Sequence, residues 1–208
     1  MKQNSENPFW GIYQTPFGTP PFDQIKPEHY EPAFDEGIRQ LDEEIHTIAD
    51  NTELPTFENT IVALERSGKL LDKVSSAFFN VLNAEADDEM MDISQRVSPK
   101  LSESSNNIYL NEKLFTRVRN VYDRKENLHL STEDSRLLEE TFEAFSVRGA
   151  SLNPEDKEKY RRLSSELSLL SLTFDQNALK DKNRFELLLT KEHELEGLPE
   201  SIREAAAL

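Results

Sequence analysis

The chain has 208 residues, of which 24 are Lys or Arg and 40 are Asp or Glu, giving a formal net charge of −16. That acidic excess argues against nucleic acid, because no basic surplus is present to displace phosphate counterions. No stretch approaches the roughly 18 apolar residues that span a bilayer, and the absence of cysteine removes disulfides, thiolate nucleophiles and Cys-based zinc sites together.

Leu, Ile, Val and Phe make up about a quarter of the residues, enough for a packed core. Seven of the ten prolines lie within the first 55 residues, and no glycine falls between Gly68 and Gly149. A long interior poor in both breakers predicts long helices rather than a sheet with tight turns. Residues 1–25 are a distinct segment rich in Pro and Gly, with Phe9, Trp10, Tyr13, Phe17 and Phe22. So many large aromatics predict an extended arm packed on the helices rather than a disordered tail. Residues 1–7 hold no apolar run of the signal-peptide kind. A cytoplasmic location is expected, or a periplasmic or exported one if a signal has been removed.

From Tyr30 the pattern turns helical: Tyr30, Phe34, Ile38, Leu41, Ile45 and Ile48 recur every three or four residues on one stripe. Pro32 predicts that the main helix starts or kinks there. A second helix is expected over 57–82, about 39 Å long. Thr56 is its N-cap, and Gly68 is read as a close helix–helix contact rather than a break. A third follows Asp87 through Met90, Ile93, Val97, Leu101 and Ile108, with a kink at Pro99. A fourth covers 111–124, and residues 127–130 read as loop. Ser131 and Asp134 have capping-box spacing, and Gly149 stands where a C′ residue belongs.

Asn153-Pro154-Glu155-Asp156 is the strongest start signal in the chain: an N-cap, a proline at N1 and two first-turn acids. The stripe Tyr160, Leu163, Leu167, Leu170 and Phe174 follows. Phe185 to Thr190 reads as a short strand, and Gly197-Leu198-Pro199 as a turn. Ser201 is placed to cap a helix still rising in propensity at Leu208, a pattern that predicts a longer polypeptide. The expected organisation is an arm at 1–25, a helical domain at 26–184 and the start of a following segment at 185–208.

Catalytic signals are absent. His29, His46, His129 and His193 lie far apart, and His193-Glu194 lacks the second His of a His-Glu-x-x-His zinc motif. No phosphate loop, Gly-x-Ser-x-Gly elbow or Ser-x-x-Lys motif occurs. Carboxylate runs such as Asp42-Glu43-Glu44 and Glu139-Glu140 are better explained as solvated helix faces than as acid–base pairs.

Several segments nevertheless resemble the N-terminal region of the zinc metallopeptidases that include thimet oligopeptidase, oligopeptidase A and peptidyl-dipeptidase. They are Asn7-Pro8-Phe9, Pro20-Pro21-Phe22-Asp23-Gln24-Ile25 and the run from Lys26 to Phe34. Most specific is Pro55-Thr56-Phe57-Glu58-Asn59-Thr60-Ile61 leading into Leu64-Glu65 and Gly68. Leu114 to Val118, Phe174 to Asn177 and Leu195 to Pro199 also fit.

The resemblance implies an all-α bundle of long helices, one lobe of a clamshell peptidase, forming one wall of a channel for short or unfolded peptides. The opening and first helix favour the peptidyl-dipeptidase branch, whose enzymes remove C-terminal dipeptides. The family's zinc ligands and catalytic Glu lie in a C-terminal half that this sequence does not contain. No catalytic, cofactor-binding or metal residue is therefore carried over. The resemblance implies zinc in the parent, none bound by this chain, and no activity without the missing half. Its implied partners are peptide substrates and that half, with neither nucleic acid nor membrane. The alternatives are a self-contained acidic helical scaffold and a chaperone-like peptide binder.

Overall fold

A computed structural model describes residues 7–85, 87–189 and 191–206, which are mostly helical and hold no strand. The first helix, α1, runs Pro27–Ala49. It begins earlier than the expected break at Pro32 because Pro27 takes the first helical position, where a missing N–H costs nothing. The Lys26 N–H donates to Nδ1 of His29 at 3.0 Å. Pro32 sits in the second turn and forfeits the bond to the Glu28 carbonyl.

The helix expected over 57–82 is two pieces. Thr56 caps the first, its hydroxyl accepting the Asn59 N–H at 3.0 Å while the Asn59 side chain accepts the Thr56 N–H at 2.8 Å. The backbone follows a π-helix over Phe57–Val62 and one α turn, α2, over Ala63–Glu65. Gly68 then breaks the path at φ 74°, a left-handed conformation that favours glycine. Its N–H donates to Oε2 of Glu44 on α1 at 2.7 Å. The next helix, α3, is Lys69–Glu85. The close helix–helix approach is at Gly37 instead: a Cβ there would stand 3.0 Å from the Cα of Leu71.

Asp87 caps α4, Asp88–Tyr109, which carries Pro99 inside it. Asn111 caps α5, Glu112–Tyr122, and Ser131 caps α6, Thr132–Val147. Gly149 closes that helix at φ 90°. The side chain of Asn153 accepts the Asp156 N–H at 2.9 Å, starting α7, Pro154–Arg184.

Packing separates residues 1–172 from residues 173–208. The first unit holds two apolar clusters. One joins Phe9 to Tyr30, Phe34, Val74, Phe78, Met90 and Val97, uniting the arm with α1, α3 and α4. Phe9 and Tyr30 have ring centroids 5.4 Å apart, and Tyr30 and Phe78 5.0 Å. Lys73 reaches from α3 to the carbonyls of Phe9 and Gly11 at 3.0 and 2.5 Å and covers the Tyr13 ring. The other cluster gathers Ile45, Ile48, Phe57, Ile61, Leu114, Val118, Leu138 and Phe145 from α1, the π segment, α5 and α6.

In residues 173–208, the strand expected over Phe185–Thr190 does not form. Residues 185–189 have no regular structure, and Thr190 lies outside the described residues. A strand needs a partner ladder, and the described residues supply none. The last helix, α8, is Glu200–Ala206. Ser201 therefore lies inside it rather than capping it, because the turn through Gly197, at φ 83°, delivers Pro199 to the cap position. The expected continuation to Leu208 lies outside the described residues.

Candidate functional site

The acidic runs resolve into structural partners. Glu36 pairs with Arg39 at 2.6 Å, and Glu43 pairs with the same guanidinium. Glu44 holds Gly68, and Glu139 and Glu140 pair with Lys125 and Arg136 at 2.9 and 2.7 Å. Asp42 is pushed up from the usual aspartate range by burial, with Glu103 adding to the effect.

The histidines stay apart. His29 and His46 spend their Nδ1 atoms on local backbone groups, His129 precedes α6, and His193 lies in a 3₁₀ turn over Glu192–Leu195. Among the described residues, no three His, Cys, Asp or Glu side chains stand together in a group that could hold a metal ion.

A buried guanidinium marks one knot of structure whose role the sequence did not reveal. Arg117 on α5 is 6% exposed. Its fork donates to the carbonyls of Asn51 and Glu53 at 2.6 and 3.0 Å, and to Asn59 Oδ1 and Thr60 Oγ1 at 3.0 and 3.3 Å. Those acceptors belong to the α1 exit and the π segment, so Arg117 fixes a turn and an irregular helix at once. It is an architectural residue.

The feature that points outward is the first half of α7. Polar side chains tie it to the rest of residues 1–172. Lys157, 8% exposed, donates to the Leu110 carbonyl at 3.3 Å and to Glu112 at 3.0 Å. Arg161 donates to Asn107 Oδ1 at 2.8 Å, and Asn106 Nδ2 donates to Ser164 Oγ at 2.8 Å. Neither apolar cluster takes a side chain from residues 154–172. Leu163, Leu167 and Leu170 instead stand 49%, 64% and 60% exposed.

The sequence stripe is therefore real, but its leucines lie on the surface. A helix normally buries its apolar stripe. This one buries polar groups and presents leucines to solvent, the signature of an interaction face. In residues 173–208, Phe174, Phe185, Leu187, Leu188 and Ile202 are exposed too.

Beside the polar seam lies a groove of about 400 Å³ between α4 and α7. Ser98, Ser102, Ser105 and Tyr109 share one face of α4, and Tyr160, Ser164 and Ser168 recur every fourth residue on α7. The small serines leave the space open. Arg148, just past α6, lies over the Tyr109 ring at 4.2 Å from its centroid.

No protein-family model matches the chain. Curated relatives do. The chain is 41% identical to dipeptidyl carboxypeptidase of Escherichia coli K12 over 194 residues, 93% of this chain and 28% of that protein. It is 39% identical to dipeptidyl carboxypeptidase of Salmonella typhimurium over 203 residues, 97% of this chain and 30% of that protein. With oligopeptidase A of Escherichia coli K12 it shares 27% identity over 192 residues, 28% of that protein. The chain thus spans less than a third of the length of these relatives.

Proposed function

Given that this chain belongs to the family of the dipeptidyl carboxypeptidases, oligopeptidase A and thimet-like oligopeptidase, we propose that it forms the N-terminal helical region of a zinc metallopeptidase. Its role there is to build one wall of a channel that takes short or unfolded peptides. The higher identity to the dipeptidyl carboxypeptidases, 41% against 27% for oligopeptidase A, supports the peptidyl-dipeptidase branch. The proposed location is cytoplasmic. No described helix is long and apolar enough to cross a membrane.

The observation that carries this reading is the leucine face of α7. Three leucines about half exposed would each gain on the order of 1 kcal/mol on being covered. A chain matching less than a third of its relatives' length has an evident occupant for that face: the rest of the longer polypeptide. The described residues do not fit a zinc ion, since no ligand group converges among them. The proposal accordingly assigns zinc and the acid–base chemistry to that remainder. This region supplies shape, exclusion of water and the docking face. By itself the chain is expected to hydrolyse no peptide and to hold no stoichiometric zinc.

Reading the gene beyond codon 208 tests the proposal. The expected result is an open frame with a His-Glu-x-x-His motif hundreds of residues on. A stop codon with no such partner contradicts it and favours a self-contained acidic scaffold.

A further inference from the structure

The groove between α4 and α7 lacks the carboxylates that line three other depressions of residues 1–172. Glu36 lines one of those, Glu65 and Glu140 a second, and Asp35, Asp42 and Glu103 a third. None of the side chains lining the α4–α7 groove is a carboxylate, in a chain with 40 acidic residues. Its one charged lining group is Arg148. Among the described residues no ion pair or hydrogen bond occupies this guanidinium, and its recorded contact is the face of Tyr109.

Stacking on a ring holds a guanidinium plane in place while leaving its N–H fork free. A free fork is the donor geometry that matches a carboxylate. The hydroxyls of Ser102, Ser105, Tyr160 and Ser168 lie along the same groove and add donors that a carboxylate or an amide carbonyl accepts. The volume, about 400 Å³, is that of a site for an organic ligand rather than a bare ion, and Phe79 and Leu101 give it an apolar part.

The geometry points to a carboxylate-binding site in this groove, with Arg148 as the charged anchor and the terminal carboxylate of a short peptide as its ligand. The carboxylate follows from the groove itself; its belonging to a peptide rests on the peptidase reading above. The site lies on the polar flank of α7. At about 100° per residue, Ser168 faces about 100° or more from Leu163, Leu167 and Leu170, while Tyr160 and Ser164 border the leucine face, so the groove and the leucines are adjacent on the helix.

The test is a titration of the 208-residue chain followed through the arginine Nε–Hε nuclear magnetic resonances, with the Arg148 signal assigned by its loss in Arg148→Gln. The probes are tri-alanine, its C-terminal amide, sodium acetate and sodium phosphate. Tri-alanine should give a saturable shift of the Arg148 signal, and the amide should bind about tenfold more weakly or worse. Acetate and phosphate, which cannot use the rest of the groove, should also be weaker. Ser102→Leu, which fills the groove and keeps Arg148, should abolish the tri-alanine response while circular dichroism shows an unchanged helix content.

Equal responses to acid and amide, equal responses to tri-alanine and the simple anions, no shift at all, or full binding by Ser102→Leu would each overturn the inference. The peptidase reading is judged separately, by hydrolysis in the longer polypeptide. Hydrolysis without a titration shift removes only the groove assignment, and a titration shift without hydrolysis removes only the peptidase.

Discussion

At the scale of single residues, Arg117 bears the largest load. Its fork satisfies four acceptors from the α1 exit and the π segment, and burial pulls its pKa below the usual arginine range. Arg117→Ala strands those acceptors and should lower the unfolding free energy by about 3 kcal/mol in urea titration. Arg117 falls within the Leu114–Val118 segment that carries the family resemblance, but nothing in the sequence assigned it a role. Its importance comes from acceptors at least 57 residues away, a separation no local pattern reports.

Gly68 shows the converse. Its presence at a stripe position was visible, but whether it joined or broke the helix depended on Glu44, 24 residues earlier. Gly68→Ala should cost about 1 kcal/mol through its left-handed backbone. Gly37→Ala, facing the backbone of Leu71 at 3.0 Å, should cost about 1–3 kcal/mol by overpacking. Thermal unfolding of the two variants checks both values.

The charged seam between α1 and α4 sets a pH dependence. Arg96, with Lys100 behind it, holds Glu31 below the usual glutamate range, and Arg39 holds Glu36 down to about 2. A carboxylate whose folded pKa is depressed stabilises the fold above its unfolded value and loses that contribution as pH falls through the folded one. Stability from these groups should thus decline as pH drops from about 4.5 towards about 2. Glu31→Gln should cost about 0.5 kcal/mol near neutrality, a small value because the pair is partly solvated. The two melting curves should converge as pH falls through the lowered folded pKa of Glu31.

At the scale of elements, the helices capped by short polar side chains were the most legible. Asn153, Ser131 and Thr56 cap as their spacing predicts, because a cap needs only residues three apart. The π segment was not legible, since its extra backbone turn is held by Arg117 from another helix. The strand expected over 185–190, absent from the described residues 185–189, was misread for a related reason: an apolar run of that length fits a strand only where another strand exists to pair with it.

The stripe on α7 was found correctly, yet its burial was not. Periodicity reports that a face is apolar, not what covers it. Here Lys157, Arg161 and Ser164 dock the helix, and the leucines remain outside. Replacing Leu163, Leu167 and Leu170 together by Gln should therefore change the stability of the 208-residue chain by no more than about 0.5 kcal/mol. If they were core residues, the same triple change would cost several kcal/mol. Chemical denaturation separates the two.

At the scale of the whole molecule, the charge of −16 is the excess of carboxylates over the cations that pair with some of them, while many of the exposed large apolar side chains lie on α7 and beyond it. Kinship was legible from motifs such as Pro55-Thr56-Phe57-Glu58-Asn59, whose residues turn out to build the cap and π segment that Arg117 locks. The site was less legible: the α4–α7 groove is made of serines whose meaning lies in the space they leave.

The central claim is that the α7 face is an interface within a longer polypeptide, and the absence of cysteine allows a direct measurement. Leu167→Cys can be compared with Leu54→Cys, an exposed control on the surface at 79%, by their rates of reaction with a maleimide. In the 208-residue chain the two should react at comparable rates. In the longer polypeptide the thiol at position 167 should slow by about tenfold or more, with position 54 unchanged. Equal rates at position 167 in both forms would show that nothing covers the face and would contradict the account.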